Sequence, residues 1–215
     1  MALNVKVIGS GGKMGKRVVS LISEDSLFSL EESTEKADVI IDFSSHLALK
    51  ENLMQALALN KPIVIGTTGH SLENLEEMER ASQHIPVLFA PNFSLAMAAC
   101  IEAASLLSKL LKTACSIEIV EKHHLSKKDS PSGTALALKN AMDCENPVPI
   151  YSLREGDVIG EHKITFTCEG EKIEISHQAA TRNVFAQGAL KAGHFLTEQP
   201  PGLYNIKDLF HVYSR

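Results

Sequence analysis

The sequence lacks three features that would assign it to a broad class at once: an excess of basic residues, a long apolar run and paired cysteines. Lysine and arginine number 21 against 26 aspartate and glutamate residues, and the formal net charge is -5. A negative net charge gives no support for nucleic-acid binding. No apolar run is long enough to span a bilayer, and the first residues lack the charged region and apolar core of a signal peptide. We therefore expect a cytoplasmic protein with no nucleic-acid or membrane partner.

The cysteines are few and scattered, and no Cys-x-x-Cys spacing occurs. This pattern argues against a zinc finger and against a disulfide framework. We expect reduced structural thiols, which fit a reducing compartment. The four residues are Cys100, Cys115, Cys144 and Cys168.

The 215 residues suit one large domain or two small ones. Apolar runs at residues 5–8, 37–43, 62–66 and 86–90 alternate with helical patterns in the first half. Near-continuous apolar strands that alternate with helices predict a parallel, doubly wound sheet. Later, residues 163–177 contain two alternating runs around a short turn, which predict a β-hairpin in an antiparallel or mixed sheet. The predicted fold class is α/β, with a parallel-sheet domain and a smaller mixed-sheet α+β domain.

A glycine-rich turn at residues 9–15 directly follows the first predicted strand. The next residues give a helix with an apolar face formed by Val18, Val19, Leu21 and Ile22. Such a turn lets a pyrophosphate approach the backbone, and the start of the helix supplies N–H donors. A tight turn without a ligand is the alternative interpretation.

Candidate cofactor contacts follow the later strands, since ligands of such sheets bind at the carboxyl ends of the strands. An acid about 20 residues beyond the first glycine commonly holds the ribose hydroxyls. Glu31 is the candidate, although a surface charge pair with Glu32 is almost as good an interpretation. Residues 66–68 and 90–93 suit contact with a ribose and a nicotinamide, or are plain turns. The candidate cofactor site consists of Gly9, Ser10, Gly11, Gly12, Lys13, Met14, Glu31, Gly66, Thr67, Thr68, Ala90, Pro91, Asn92 and Phe93.

Residues 121–134 are the most unusual stretch, because two histidines and three lysines precede a Pro-Ser-Gly-Thr turn. Residues 116–120 predict a strand before it, and residues 135–142 are good helix formers. The cationic cluster is therefore predicted to lie on a loop, with Ser132 as the N-cap of the following helix. Free N–H groups at a helix start favour anions, so this loop suits a small anionic substrate such as a carboxylate.

The sequence resembles a known family, the dihydrodipicolinate reductases, or 4-hydroxy-tetrahydrodipicolinate reductases, of bacterial lysine and diaminopimelate synthesis. The resemblance covers nearly the whole chain. Its most specific part is the complete signature His-His-x-x-Lys-x-Asp-x-Pro-Ser-Gly-Thr-Ala at residues 123–135. Further matching segments are residues 11–15, 42–44, 66–69, 92–94, 154–157, 160–162, 174–177, 182 and 185–189.

The resemblance implies an N-terminal Rossmann domain of residues 1–94 and 183–215, and an inserted mixed-sheet domain of residues 95–182 that builds a homotetramer. It also implies the reduction of 4-hydroxy-tetrahydrodipicolinate, a small dicarboxylate, to tetrahydrodipicolinate with NADH or NADPH and with loss of water. No metal is expected. By matching position, His123 is the general acid/base and Lys127 is the proton donor. The substrate carboxylate is held by His124, Ser132, Gly133 and Thr134.

The segment between the first helix and Asp42 is short for this family, and no arginine or lysine follows Glu31 directly. The choice between NADH and NADPH therefore stays open. A dehydrogenase of another small acid, such as aspartate, is an alternative against which the complete signature speaks. A module that binds NAD(P) without turnover would not need His123 and Lys127. A metal hydrolase is disfavoured, because adjacent histidines rarely offer both rings to one ion. It would use His123, His124 and Asp129.

Overall fold

The computed structural model describes residues 2–210 and divides them between two compact units. One unit contains the residues up to Phe93 together with those from Arg182 onward, and the other is Ser94–Thr181. These bounds differ by one residue from the domain boundaries that the sequence suggests. Residues 211–215, which the prediction assigns to the first domain, lie outside the described residues. Within the described part, no helix is long and apolar enough to cross a membrane.

The first unit is built on a six-stranded sheet in which every pair of neighbouring strands is parallel. Its strands, numbered along the whole chain, are β1 (Leu3–Ile8), β2 (Phe28–Leu30), β3 (Val39–Asp42), β4 (Ile63–Ile65), β5 (Pro86–Phe89) and β10 (Gly202–Tyr204). Their order in the sheet is β10-β5-β4-β3-β1-β2. The central strands β3 and β4 are buried at every residue, as parallel strands covered on both faces should be. The predicted α/β class is confirmed.

Four helices accompany this sheet. They are α1 (Lys13–Glu24), α2 (Leu49–Ala58), α3 (Leu72–Ser82) and, after the second unit, α6 (Asn183–Leu196). Ser71 caps α3 in a capping box with Asn74. Helix α6 approaches the chain after β5 so closely that a Cβ at Gly188 would overlap the Phe93 carbonyl oxygen. Residues at the end of the chain thus complete the first unit.

The second unit holds a four-stranded mixed sheet. Its elements are α4 (Leu95–Leu111), β6 (Cys115–His123), α5 (Gly133–Ala141), β7 (Ile150–Arg154), β8 (Glu161–Cys168) and β9 (Glu171–Gln178). The strand order is β7-β6-β8-β9, with β6 and β7 parallel and the other pairs antiparallel. The core contains Ile119, Phe166, Met97 and Leu138, which come from the sheet and from both helices. The predicted β8–β9 hairpin is confirmed.

Two of the four cysteines form a disulfide, so the prediction of four reduced thiols is wrong for this pair. Cys115 begins β6 and Cys168 ends β8, and the antiparallel register places them opposite each other with Cα atoms 4.2 Å apart. Cys100 and Cys144 are free. Positions scattered along the sequence concealed the pairing, because only the strand register brings them together. The expectation of a reducing compartment loses the support that it drew from reduced thiols.

The cationic cluster differs from its prediction in one respect. Strand β6 continues three residues beyond the predicted strand of residues 116–120 and ends at His123, so the predicted loop begins only at His124. Its side chain therefore has a fixed direction relative to the sheet, while His124 and Lys127 lie in the loop that leads to α5. The distinction matters because strand side chains are held more precisely than loop side chains.

Candidate active site

The glycine turn of the first unit requires glycine at two positions. Gly9 has a φ of +80°, in the left-handed region that favours glycine, and its carbonyl accepts a hydrogen bond from the Gly12 N–H at 3.0 Å. A Cβ at Gly15, in the first turn of α1, would overlap the Gly9 carbonyl oxygen. The turn and the helix therefore lie in direct backbone contact.

Helix α1 begins without a capping side chain. Its N-cap is Gly12, and no acidic residue lies in its first turn. A Cβ at Gly11 would meet nothing within 4 Å, so the space beside the turn is open. Because N–H groups at an uncapped helix start bind phosphate, this cradle fits a pyrophosphate. The cradle consists of Gly9, Ser10, Gly11, Gly12, Lys13 and Met14.

The segments that follow β3, β4 and β5 meet beside this turn. A Cβ at Gly9 would lie 2.6 Å from the Phe43 carbonyl oxygen, and one at Gly66 would overlap the Phe43 ring. The rings of Phe43 and Phe93 meet edge to face, with centroids 5.7 Å apart. Residues 66–68 and 90–93 therefore share the carboxyl edge of the sheet with the glycine turn.

A cavity of about 620 Å³ opens at the same edge. Gly9, Ser10, Ser33 and Thr34 are among the residues that line it. Glu31 directly follows β2 and is half-buried, and its carboxylate accepts a hydrogen bond from the Ser33 N–H at 2.8 Å. Glu31 thus adjoins the segment that lines the cavity without itself lining it.

Thr67 is buried at this edge and is engaged with a histidine. Its Oγ1 lies 2.9 Å from Nε2 of His70, and its backbone oxygen lies at the same distance from that nitrogen. Thr68 is exposed beside it. Burial lowers the pKa of His70, although hydrogen bonds oppose the shift. A neutral imidazole therefore holds the main chain between Gly66 and Thr68.

The second cluster surrounds His123 and is almost completely buried. His123 keeps 7% of its surface exposed, and Glu121 keeps none. Because side chains alternate along a strand, these two residues point to the same face of the sheet. Nδ1 of His123 donates a hydrogen bond to Oε2 of Glu121. Since a carboxylate only accepts, the ring hydrogen is on Nδ1, and Nε2 of the neutral ring is left as an acceptor.

Arg154 and the α5 turn hold the other oxygen of Glu121. Oε1 accepts hydrogen bonds from Nη1 of Arg154 at 3.0 Å and from the Ser132 N–H at 3.3 Å. Nη2 of Arg154 donates to the backbone oxygen of Asp129 at 2.5 Å. One guanidinium therefore connects strand β6 to the loop that carries Lys127.

The strand register explains how this cluster is assembled. Glu121 lies opposite Ser152 of β7 and His162 of β8, and His162 lies opposite His177 of β9. The rings of His123 and His162 meet edge to face at 5.1 Å. Nδ1 of His162 is buried and finds no hydrogen-bond partner among the described residues. A row of polar side chains thus crosses the whole sheet.

Burial keeps the histidines of this cluster neutral. It lowers the pKa of His162 to about 3, with a further contribution from the charge on His123. Burial also lowers the pKa of His123, and Arg154 adds to this shift while Glu121 opposes it. For Glu121, burial opposes ionisation, but hydrogen bonds from Ser152 and Arg154 outweigh it and lower the pKa. At neutral pH, a carboxylate paired with a guanidinium therefore stands among neutral imidazoles.

Lys127 and the start of α5 bind the carboxylate of Asp129. Nζ of Lys127 is 2.8 Å from Oδ1 of Asp129. Burial opposes ionisation of Asp129, but the hydrogen bond and charge of Lys127 outweigh it and lower its pKa, and the Gly133 N–H contributes further. Negative charge is thus stabilised at the place where the sequence predicts a substrate carboxylate.

The predicted substrate-binding residues lie around the same turn. Oγ of Ser132 accepts a hydrogen bond from the Ala135 N–H at 3.2 Å, which confirms Ser132 as the N-cap of α5. Thr134 is buried in the first turn of that helix. His124 is half-buried, and its Nδ1 lies 2.9 Å from Oγ of Ser126.

Sequence reasoning assigned no role to Glu121, Arg154 or His162. A signal was present in β6, where the buried face reads Cys115, Ile117, Ile119 and then Glu121 at alternate positions. A charged residue that continues an apolar face is a buried charge, and a buried charge needs a partner. The identity of that partner depends on pairing with strands far away in the sequence.

Glu121, His123 and His162 also present ligand atoms within 4.8 Å of one another, close enough for one metal ion. The guanidinium of Arg154 lies 3.0 Å from the same carboxylate and puts a fixed positive charge beside it. Like charges at this range repel strongly in a buried setting. The arrangement is better suited to hydrogen bonding than to a cation.

Two family models match the chain. The model described as "Dihydrodipicolinate reductase, N-terminus" matches residues 27–93, and the model described as "Dihydrodipicolinate reductase, C-terminus" matches residues 93–210. The second match alone covers more than half of the chain.

Relatives match over nearly their full length. A 4-hydroxy-tetrahydrodipicolinate reductase of Caldanaerobacter subterraneus subsp. tengcongensis is 38% identical, over 97% of this chain and 98% of the relative. Another, of Thermosipho africanus, is 40% identical, over 94% of this chain and 95% of the relative. The solved structure of a dipicolinate-bound dihydrodipicolinate reductase from Paenisporosarcina sp. TG-14 is 23% identical and covers 95% of this chain and 98% of that chain, with a TM-score of 0.76. At this identity, the likeness to the Paenisporosarcina structure shows a shared fold and nothing further.

Proposed function

Because the chain belongs to the dihydrodipicolinate reductase family, we propose that it reduces 4-hydroxy-tetrahydrodipicolinate to tetrahydrodipicolinate in lysine and diaminopimelate synthesis. One hydride and one proton are added to the substrate, and one water is lost. The observation that carries the proposal is the 38% identity over 97% of the chain to a reductase of this name.

His123 and Lys127 perform the proton chemistry in this proposal. Hydride addition to a conjugated imine leaves electron density that must be protonated. A lysine both stabilises that negative charge and donates a proton, and a histidine transfers protons near neutral pH. The substrate brings two carboxylates, and negative charge nearby raises the pKa of a histidine. Substrate binding therefore favours protonation of His123 when the proton is required.

The turn at the start of α5 binds a substrate carboxylate in this proposal. The backbone N–H groups of Gly133 and Thr134 belong to the first turn of the helix, where negative charge is stabilised. The Asp129 carboxylate, whose pKa is lowered at this place by Lys127 and the Gly133 N–H against the effect of burial, supports the assignment. His124 and Ser132 complete the binding site.

The first unit binds NADH or NADPH, and the nicotinamide supplies the hydride when the cofactor is bound. The glycine cradle holds the pyrophosphate, and residues 66–68 and 90–93 line the nicotinamide half of the site. NADH is used at least as well as NADPH, because a carboxylate at Glu31 accepts from the 2′-hydroxyl and repels a 2′-phosphate. A 2′-phosphate would need a cation beside it. Lys6 is a cation that lines the cavity, but its Nζ already donates to the Glu32 backbone oxygen at 2.6 Å.

The protein assembles as a homotetramer through the mixed sheet, as the family resemblance implies. Both edge strands of this sheet, β7 and β9, carry exposed apolar side chains. Tyr151, Leu153 and Ile173 are 52%, 47% and 37% exposed. Light scattering at assay concentration should give the mass of four chains, and a clean monomer would contradict the assembly.

A coupled assay tests the reaction. The substrate is generated from aspartate semialdehyde and pyruvate by the preceding synthase, and the absorbance of the reduced nicotinamide is followed. Consumption of NADH or NADPH that requires both the synthase and this protein is expected. The absence of consumption with either cofactor would rule out the proposed reaction.

A further inference from the structure

The second unit contains a buried ion pair with no part of its own in the proton chemistry proposed above. Nη1 of Arg154 lies 3.0 Å from Oε1 of Glu121. Glu121 is fully buried, and the Arg154 side chain is 18% exposed. Removing both charges from water is unfavourable, and well-packed apolar residues in place of a buried pair are often neutral or stabilising. A fold that needs only stability therefore gains little from this pair.

The contacts of the pair converge on His123. We propose that Glu121, held by Arg154, is a positioning residue that fixes the tautomer and the orientation of His123. The inference rests on the proposed function, in which His123 exchanges a proton with the substrate. Glu121 itself reaches the reaction only through the imidazole.

Glu121 fixes the tautomer of His123. A neutral histidine carries its hydrogen on either ring nitrogen, and the hydrogen bond made by one nitrogen decides the state of the other. The carboxylate of Glu121 keeps the hydrogen on Nδ1. Nε2 faces Gly160, where a Cβ would lie 3.2 Å from it. The ring therefore presents the same nitrogen, in the same direction, in every molecule.

The same ion pair is coupled to Lys127. Arg154 binds the Glu121 carboxylate with Nη1 and the Asp129 backbone oxygen with Nη2. Asp129 in turn binds Nζ of Lys127. The pair thus sets where the lysine-bearing loop lies relative to the histidine, and both proton-handling groups depend on the same guanidinium.

The charges around His123 predict opposite effects of removing each partner. The groups that face it are Glu121 on its own strand, Arg154 from β7, His162 from β8 and Lys127 from the loop. Besides burial, which lowers the pKa of His123, Glu121 raises it and Arg154 lowers it. Glu121→Gln should therefore lower the pKa of His123 further, while Arg154→Gln should raise it. General misfolding would not produce shifts of opposite sign.

The experiment compares three variants with the wild type: Glu121→Gln, Arg154→Gln and the control Glu118→Gln. Glu118 lies on β6 too but points to the opposite face of the sheet, because it is an odd number of residues from Glu121. The coupled assay gives kcat and the pH dependence of kcat/KM. Ring nitrogen NMR gives the tautomer and the pKa of His123 without any turnover.

Glu121→Gln is expected to reduce kcat by part of the roughly 10²–10⁴-fold that a general acid/base group contributes, with NADH binding unchanged. Its pH profile should move to lower pH, that of Arg154→Gln to higher pH, and that of Glu118→Gln should not move. If Glu121→Gln does not fold, the shift in Arg154→Gln decides the matter. An unchanged or lowered His123 pKa in that variant would overturn the inference.

Failure of the inference is separable from failure of the proposed reaction. A wild type that does not consume NADH or NADPH contradicts the reaction, while the NMR shifts still test the positioning of His123. Normal kcat and an unshifted profile in Glu121→Gln, beside an impaired His123→Gln, contradict the positioning alone. Loss of wild-type activity with a chelator, together with one bound metal ion per chain, would make Glu121 a ligand and overturn the inference.

Discussion

The two candidate sites are built from different parts of the polypeptide. The cradle in the first unit offers backbone N–H groups of the contiguous residues 9–14, and its turn requires glycine, without a side chain, at positions 9 and 15. The cluster in the second unit uses side chains from three strands and a helix start, with Glu121 at its centre. A backbone site can be recognised in a short stretch of sequence, whereas a side-chain site depends on strand register. The comparison predicts that substitutions in the two sites affect different measurements.

The largest effect is expected at the proton-handling residues. His123→Gln and Lys127→Met should each lower kcat by about 10²–10⁴-fold. NADH binding, followed by fluorescence titration, should stay at the wild-type level, because neither residue belongs to the cradle that is proposed to hold the cofactor. The double variant should lose less than the product of the two effects, since both residues serve one protonation step. A His123→Gln enzyme with near-normal kcat would contradict the assignment of the proton chemistry to the second unit.

The next effect concerns stability and pH. Folded His162 has a pKa of about 3, lowered by burial from the usual 6.5. The unfolded chain therefore takes up a proton at this residue below about pH 6.5, whereas the folded chain does so only near pH 3. The stability contribution is complete above pH 6.5 and is lost as the pH falls towards 3, by on the order of 5 kcal/mol at about 1.4 kcal/mol per unit.

Urea unfolding at pH 7 and pH 4 measures most of this loss. His162→Gln should flatten the pH dependence, while replacement of the exposed His84 by Gln should leave it unchanged. Equal slopes in wild type and His162→Gln would show that the histidine is not buried in the neutral state.

The glycine-rich turn at residues 9–15 offers a matched pair of substitutions that sharpens the comparison. Gly15→Ala places a Cβ on the Gly9 carbonyl oxygen, and overpacking of this kind typically destabilises by about 1–3 kcal/mol. Gly11→Ala meets nothing within 4 Å, so its unfolding free energy should match the wild type while NADH binding weakens. Thermal unfolding and NADH titration separate the two results. Stable Gly15→Ala protein would contradict the close backbone contact.

The smallest effect is expected at Glu31. Loss of one hydrogen bond to a ribose hydroxyl is worth about 0.5–1.5 kcal/mol, which is roughly a two- to tenfold rise in KM for NADH in Glu31→Ala. KM for NADPH should fall or stay the same, because a negative charge has been removed. Unchanged kinetic parameters for both cofactors would exclude Glu31 as the ribose ligand.

Local patterns in the sequence predicted the parallel sheet, the β8–β9 hairpin and the Ser132 cap, because each depends on neighbouring residues. Strand β10 was missed, since Gly202–Tyr204 is too short to show a periodicity. The disulfide between Cys115 and Cys168 was also missed, as was the Glu121–Arg154 pair. Both join residues far apart in the sequence, and neither partner carries a local sign of the other.

The insertion of the second unit into the first has a consequence for synthesis on the ribosome. Strand β5 pairs with β10, and the closely packed α6 also follows the insertion. A nascent chain therefore exposes an unpaired edge at β5 while the entire second unit emerges, and such an edge invites pairing with other chains. The second unit is contiguous and can fold as soon as it leaves the ribosome. Order of emergence thus favours maturation of the inserted unit before the unit that begins the chain.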